Sequence, residues 1–504
     1  MAETTREASS RRTFWLVLSV ATALRMLLAA VVPLSGDEAY YWDCSRHQDW
    51  SYFDQPPLVI WAMIPFRLLL GETSLAIRMP AIIASLGLGL SLPPLARRLG
   101  GGYREATHAY LWMCTMPLFL AGSFYASTDI AMIAFYVATT YSAVALAQGE
   151  RRAWWGFGLA LGLASLAKFP GVLALSAIFP ALMNPIVRRQ LKTPTPWLAA
   201  LVALAVTLPV WIWGVQHDWD NFYFQLEGRQ KIGEIGVKHL AEFFIANMLL
   251  ASPVLFIAMA LAWRRGLVRK DAGWKALAVA AACPFIFFGV VALRTQVGAH
   301  WGAPGLVLGA TLFALTPSAG SRRALAYISG AFGGLVIAFA LIVLIFPVAL
   351  FEADWTRAPW FGRIRAQVLN PLVGNPAVVR EIARRRGPDE LVASESYTTV
   401  HLFAFLAERQ QLSLVLADIN DGEHGLASLY WHTPDEFEGR DVLFVTRNPW
   451  LRIEQLAPYF AHVEEVAPIE IRRDGELVRY LRLFRGTDLR HATPAFSRLD
   501  RRGS

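Results

Sequence analysis

Residues 36–57 read GDEAYYWDCSRHQDWSYFDQPP. Five carboxylates (Asp37, Glu38, Asp43, Asp49 and Asp54) alternate there with Tyr40, Tyr41, Trp42, Trp50, Tyr52 and Phe53. An apolar run over 13–33 precedes the stretch, and a second apolar run, 58–70, follows it and stops at Gly71. A membrane-spanning helix needs about 20 mainly apolar residues, which the first run supplies. Aromatic side chains at such a boundary are the usual interfacial belt. Adjacent acids are not, because a charge at the edge of the hydrocarbon is costly unless solvated, paired or used. The stretch therefore reads as the core of a first extracytoplasmic loop, 34–75. Asp37 and Glu38 are candidate functional groups, and 58–70 is a juxtamembrane helix lying in the interface.

The rest of the chain has the composition this reading requires. Of 504 residues 55% are hydrophobic and only 17% charged, with a mean hydropathy of +0.38. Soluble chains carry about 25% charged residues, so three water-facing domains are excluded. Apolar runs at 13–33, 76–96, 105–123, 130–148, 153–168, 170–187, 197–214, 240–262, 273–293, 302–317 and 324–348 predict about 11 spans. The first is too long for the apolar core of a leader and is read as a span rather than a cleaved leader.

The net charge of +8 is unevenly spread. Residues 1–349 hold 27 Lys and Arg against 17 Asp and Glu, whereas 350–504 hold 20 against 22. The surplus sits in short clusters between apolar runs: Arg11-Arg12, Arg97-Arg98, Arg151-Arg152, Arg188-Arg189, Arg264-Arg265 and Arg322-Arg323. With alternating spans these share one side, the cytoplasm by the positive-inside rule, and a nucleic-acid face is not indicated. Residues 1–349 are thus expected to form a membrane-embedded domain. Residues 350–504 form an extracytoplasmic α/β domain, with strand-like runs at 391–393, 412–416 and 441–445, helical runs at 376–386 and 399–409, and a hairpin turning at Asp474-Gly475. Cys44, Cys114 and Cys283 are too scattered for a disulfide framework or thiolate metal site.

Further along lie STDIAM (127–132), LASLAKFPG (163–171) and AHWGAP (299–304). Together with DEAYYW, DW and YFDQPPL in the first loop, these motifs resemble, in order and in predicted sidedness, the protein mannosyltransferase-like superfamily over about residues 12–310. Its members are GT-C fold glycosyltransferases (family 39 and 83 types) that use polyprenyl-phosphate sugars, and they include the lipid A aminoarabinose transferases. The resemblance implies a GT-C fold, a base at Asp37 and a phosphate-binding Lys168. Asp129 heads a predicted helix, where it serves as N-cap or as a catalytic group. Lys168, one of only 6 lysines against 41 arginines, is a compact point charge suited to a phosphate oxygen. His300, Trp301 and Arg294 at an outer span end, and Arg229 in the loop 216–239, complete the expected phosphate and substrate contacts with Tyr40, Tyr52 and Gln55. That loop is either solvated or a lid. Many relatives carry a basic residue where this chain has Gln55.

No zinc spacing, P-loop or dinucleotide fingerprint occurs. A divalent cation on Asp37, Glu38 and Asp129 through oxygen ligands is left open. The expectation is an inverting glycosyltransferase of the bacterial inner membrane, with its site on the periplasmic side. It would move a sugar from an undecaprenyl-phosphate-like donor to lipid A, lipopolysaccharide or another envelope glycolipid. A protein O-mannosyltransferase-like enzyme and a transporter or flippase of lipid-linked substrates are the alternatives; the latter predicts internal repeats and mid-membrane charges, and no repeat is visible.

Overall fold

The computed structural model describes residues 2–228, 233–316, 321–358, 370–408, 413–416, 425–432, 434–473 and 475–490. The chain divides into two compact units. One comprises Met1–Val31 with Asp49–Ala338, and the other Val32–Gln48 with Phe339–Ser504.

The first unit is helical. Among the described residues, five helices are long and apolar enough to cross a membrane: Arg6–Val31, Ser74–Arg98, Thr128–Ala147, Pro194–Gln216 and Ala272–Ala292. A sixth is obtained if the pair Lys238–Ala251 and Pro253–Val268, bent by 105°, is taken as one. The expectation of about 11 spans also counted shorter apolar runs, of which Ala153–Ala167 and Ala299–Leu315 form helices below that length. The break points share a cause. Proline removes a helical N–H and pushes the preceding residue out of the α region. The run 105–123 splits into Tyr103–Cys114 and Pro117–Gly122. The run after Lys168 is a 3-10 stretch, Phe169–Ala177, with Pro170 in its first turn. Ser252, at φ 77°, precedes Pro253 at the 105° bend.

Small residues let these helices approach. In Ala153–Ala167, a Cβ on Gly158 would lie 2.1 Å from the Ala199 carbonyl oxygen, and one on Gly162 would lie 2.9 Å from that of Ala203. Two glycines one turn apart thus seat this helix backbone-to-backbone on Pro194–Gln216, the small-xxx-small packing that suits apolar surroundings. Two arginines are buried in the same unit. Arg25 donates from Nε to Ser123 Oγ (2.7 Å) and from NH1 to the Tyr110 hydroxyl (2.5 Å). Arg78 donates to the Ala29 carbonyl (3.1 Å) near the C-terminal end of the first helix, where the helix dipole favours a cation.

The second unit holds a five-stranded sheet, ordered β2-β1-β3-β5-β4. Its strands are β1 (Leu391–Ser394), β2 (Leu414–Val415), β3 (Val442–Thr446), β4 (Phe460–Arg473) and β5 (Glu476–Leu489). β1 runs parallel to β2 and β3, while β5 is antiparallel to β3 and β4. β1 and β3 are buried throughout, as parallel strands covered on both faces must be. Val442 and Phe444 enter one apolar core with Phe460 and Phe484; Leu443 and Val445 enter the other with Val378, Ile382 and Phe403. β4 and β5 flank Gly475, which adopts φ 80°, so the expected hairpin is formed.

Candidate active site

In the α/β unit the first-loop sequence builds the helix Gly36–Arg46. Its start is a capping box: Ser35 Oγ accepts from the Glu38 N–H (3.2 Å), and Glu38 Oε2 accepts from the Ser35 N–H (3.0 Å). This satisfies two orphan donors of the first turn and ties up the buried Glu38 carboxylate. Asp37 is exposed. Its Oδ1 accepts a 2.5 Å hydrogen bond from the Tyr397 hydroxyl, 360 residues away in sequence. Two turns on, Asp43 is fully buried. Its Oδ2 accepts from His401 Nδ1 (2.8 Å) and Ser413 Oγ (2.7 Å), and its Oδ1 pairs with Arg46 (3.1 Å). Burial pushes this carboxyl up, but the hydrogen bonds from His401 and Ser413, with the charges of His401 and Arg46, outweigh it and hold Asp43 below the usual carboxylate range. Tyr40 is buried and accepts from the Ala427 N–H (3.2 Å).

In the helical unit, Thr128–Ala147 is capped by Ser127, whose hydroxyl accepts from the Asp129 N–H (3.3 Å). Asp129 is therefore not the N-cap; its carboxylate is released for other contacts. Lys168 closes the helix Ala153–Ala167 and reaches back 39 residues to donate from Nζ to Asp129 Oδ1 at 2.7 Å. His300 Nε2 faces the other oxygen, Oδ2, at 3.9 Å. The Asp129 and Lys168 side chains are 20% and 12% exposed, so the pair is shielded but reachable. Asp129, Lys168 and His300, singled out separately in sequence, thus converge. Trp301 packs beside them on Phe288, with ring centroids 5.0 Å apart.

The other candidates are dispersed. Tyr52 and Gln55 are buried in the helical unit, where Gln225 Nε2 donates to the Asp54 carbonyl (2.8 Å) and Phe53 packs on Phe224 at 4.7 Å. Arg294 has an exposed side chain, and its carbonyl accepts from the Gly233 N–H (2.9 Å). Arg229 lies outside the described residues. Among the described residues no three His, Cys, Asp or Glu side chains are placed to share a metal ion. A divalent cation on Asp129 would also confront the ammonium of Lys168.

Tyr397, His401 and Ser413 were not anticipated, because the C-terminal sequence carries no motif around them. The Ser35-x-x-Glu38 capping box was legible as a pattern.

The fold is that of the GT-C glycosyltransferases, and the chain is similar to them by sequence as well. Residues 54–213 match the family described as dolichyl-phosphate-mannose-protein mannosyltransferase. ArnT from Cupriavidus metallidurans superimposes with a TM-score of 0.61 in its crystal structure bound to undecaprenyl phosphate. That match covers 93% of this chain and 98% of ArnT at 18% identity, and the apo structure gives 0.62. The lipid A galacturonosyltransferase RgtD of Rhizobium johnstonii is 26% identical over 295 residues, 55% of this chain and 59% of its own. The undecaprenyl phosphate-alpha-4-amino-4-deoxy-L-arabinose arabinosyl transferase of Edwardsiella ictaluri is 30% identical over 254 residues, 44% and 45% of the two chains. The chain spans about half the length of the curated relatives it matches.

Proposed function

We propose that this chain is an inverting glycosyltransferase of the bacterial inner membrane. It takes a sugar from an undecaprenyl-phosphate-like donor and places it on lipid A or a related envelope glycolipid at the periplasmic face. The observation that carries this reading is the convergence of Asp129, Lys168 and His300, a shielded carboxylate with one cation bound to it and an imidazole beside it. The names of the galacturonosyl and arabinosyl relatives support the donor and acceptor classes.

The chemistry is an in-line displacement. The acceptor oxygen forms a bond to the anomeric carbon as the bond from that carbon to the phosphate oxygen breaks. The hydroxyl proton passes to Asp37, the general base, and the electron pair leaves with the polyprenyl phosphate. That leaving group gains negative charge, so Lys168 and His300 stabilise the transition state more than the bound donor. Asp129 orients Lys168 and tempers its charge, which keeps the product phosphate from binding too tightly to leave.

The test is incubation of the detergent-purified chain with a polyprenyl-phosphate sugar and an envelope-lipid extract, read by mass spectrometry. Free polyprenyl phosphate together with a glycolipid heavier by one sugar is expected. A heavier protein instead of a heavier lipid moves the acceptor to protein, and translocation without a new covalent product overturns the enzyme reading. Asp37→Asn should lower the rate at least about 1,000-fold with donor binding kept. Near wild-type turnover by that variant removes Asp37 as the base.

A further inference from the structure

We infer that the loop 447–452, at the carboxyl end of β3, and Arg479 on the adjacent β5 form a binding surface for a phosphate-bearing sugar headgroup, the acceptor of the proposed reaction. This deepens the proposed function and rests on that reading. The surface lies wholly within the α/β unit.

The loop is built to present one side chain. Leu451 is buried in the core that holds Phe444 and Phe484, whereas its neighbour Trp450 is 84% exposed. A single exposed apolar side chain is ordinary on a surface. One at the tip of a loop fixed this tightly is a preorganised contact. Thr446 Oγ1, at the end of β3, donates to the buried Glu395 (2.7 Å) and accepts from the Asn448 N–H (2.9 Å). Asn448 Oδ1 in turn accepts from the Trp450 N–H (2.9 Å), as in an Asx turn. From the other side Arg482 donates to the Pro449 carbonyl (3.3 Å) and to that of Leu451. Glu465 holds Arg482 through two further bonds, of 2.6 and 2.7 Å. The loop therefore has little freedom left to lose on binding.

The surroundings select an anion. β3 and β5 pair Thr446 with Arg482, so the residues preceding Arg482 run on past the end of β3. Arg447 and Arg479 each lie two residues beyond a core residue of one sheet face, Val445 and Leu481. Arg479 is half-buried. Its stem runs against the helix Asn370–Arg385, where a Cβ on Gly374 would lie 2.5 Å from its Cγ, and its Nη2 donates to Asn375 Oδ1 (2.8 Å). Among the described residues neither Arg447 nor Arg479 has a carboxylate partner, and neither does the exposed Arg452. Burial, and after it the Arg447 charge, push the Arg479 guanidinium down to about 10. Two cations are thus held together without a counter-ion, in a domain with 20 Lys and Arg against 22 Asp and Glu over 350–504. A phosphate group supplies the missing charge and accepts the planar guanidinium bonds, and the indole covers the apolar C–H face of the attached sugar. The carboxyl ends of parallel strands are also where open α/β sheets place their ligands.

The test is binding of the envelope glycolipid fraction to the full-length chain in detergent, without donor, read by isothermal titration calorimetry. Trp450→Ala and Arg447→Gln, both at exposed positions, should each weaken binding about 10-fold with the melting temperature unchanged. Phosphatase treatment of the glycolipid should weaken wild-type binding and abolish the Arg447→Gln effect. It should leave the Trp450→Ala effect in place, because the arginine reads the phosphate and the indole reads the sugar. Wild-type affinity in either variant, or an Arg447→Gln effect that survives dephosphorylation, overturns the inference. So does displacement of the glycolipid by micelles containing phosphatidylglycerol, which would make the surface a contact with the bilayer. The proposed function fails separately: binding that responds to both substitutions as expected, without transfer of sugar from the donor, keeps the surface and removes the transferase reading.

Discussion

Asp129 and Asp43 are both carboxylates shielded from solvent and both bound to a basic side chain, yet they belong to opposite designs. Asp129 is held by Lys168 from 39 residues away and keeps 20% of its side chain exposed. Asp43 is held by His401 from 358 residues away and exposes nothing, and the same oxygen accepts a further bond from Ser413. The first pair stays open to a reacting molecule. The second is sealed, and its work is to fasten the first-loop helix to the α/β unit. Exposure, more than the identity of the partners, separates a carboxylate available for chemistry from one committed to structure.

The sharpest way to break this comparison is at Lys168. Lys168→Ala should lower kcat/KM by about 100- to 1,000-fold, since it removes a cation from the departing phosphate. Asp129→Asn should fall within the same range, and the double variant should be no worse than the poorer single one, because the pair acts as a unit. Full additivity, measured by initial rates with a polyprenyl-phosphate sugar, would show that the two groups serve separate steps and that their contact is incidental.

The motif-bearing part of the site was legible because its residues lie at helix ends bracketed by apolar runs. A lysine ending the long apolar run 153–168 stands out as a charge without an obvious local reason, and so does an acid opening the run 130–148. The capping chemistry around them was less legible. Ser127 and Asp129 are both capable N-caps, and only the structure gives that role to Ser127. The long helices Ser74–Arg98 and Thr128–Ala147 followed from contiguous apolar sequence. The breaks at Pro117, Pro170 and Pro253 did not, because hydropathy is blind to a missing N–H. The contacts that hold the first-loop helix were illegible for another reason. Tyr397 and His401 sit in an ordinary mixed helix, and their significance comes from a contact hundreds of residues away.

The sealed design predicts a stability effect where the open design predicts a rate effect. His401→Ala leaves the Asp43 carboxylate buried with Ser413, Arg46 and His47 among its remaining partners. Breaking one side of a buried pair costs about 3 kcal/mol, so the melting temperature of the full-length chain should drop clearly. Ser413→Ala removes a neutral donor and should cost only about 1 kcal/mol. A His401→Ala chain that melts like wild type would mean that Asp43 does not depend on His401 for its burial.

The smallest expected effect lies next door, at His47. Its ring stacks on Trp431 (4.3 Å between centroids, 9° between planes), and its Nδ1–H donates to the Asp43 carbonyl (3.1 Å). Burial lowers the affinity of this imidazole for a proton, the Asp43 charge and that carbonyl bond push the other way, and burial prevails. A depressed imidazole pKa means that the unfolded chain binds the proton first as pH falls. Stability is therefore highest above the ordinary value of 6.5 and declines from there down to the folded-state pKa. The shift at Asp43 has the same sign but acts in the more acidic range of carboxylates, so the two contributions separate along the pH axis. Melting curves of the wild-type chain between about pH 7.5 and 5 should slope downward toward acid, and His47→Gln should flatten that slope while leaving the steeper fall near the carboxylate range in place. If His47→Gln leaves the slope intact, the folded chain holds this imidazole at its ordinary affinity for a proton, and the burial on Trp431 does not govern its charge.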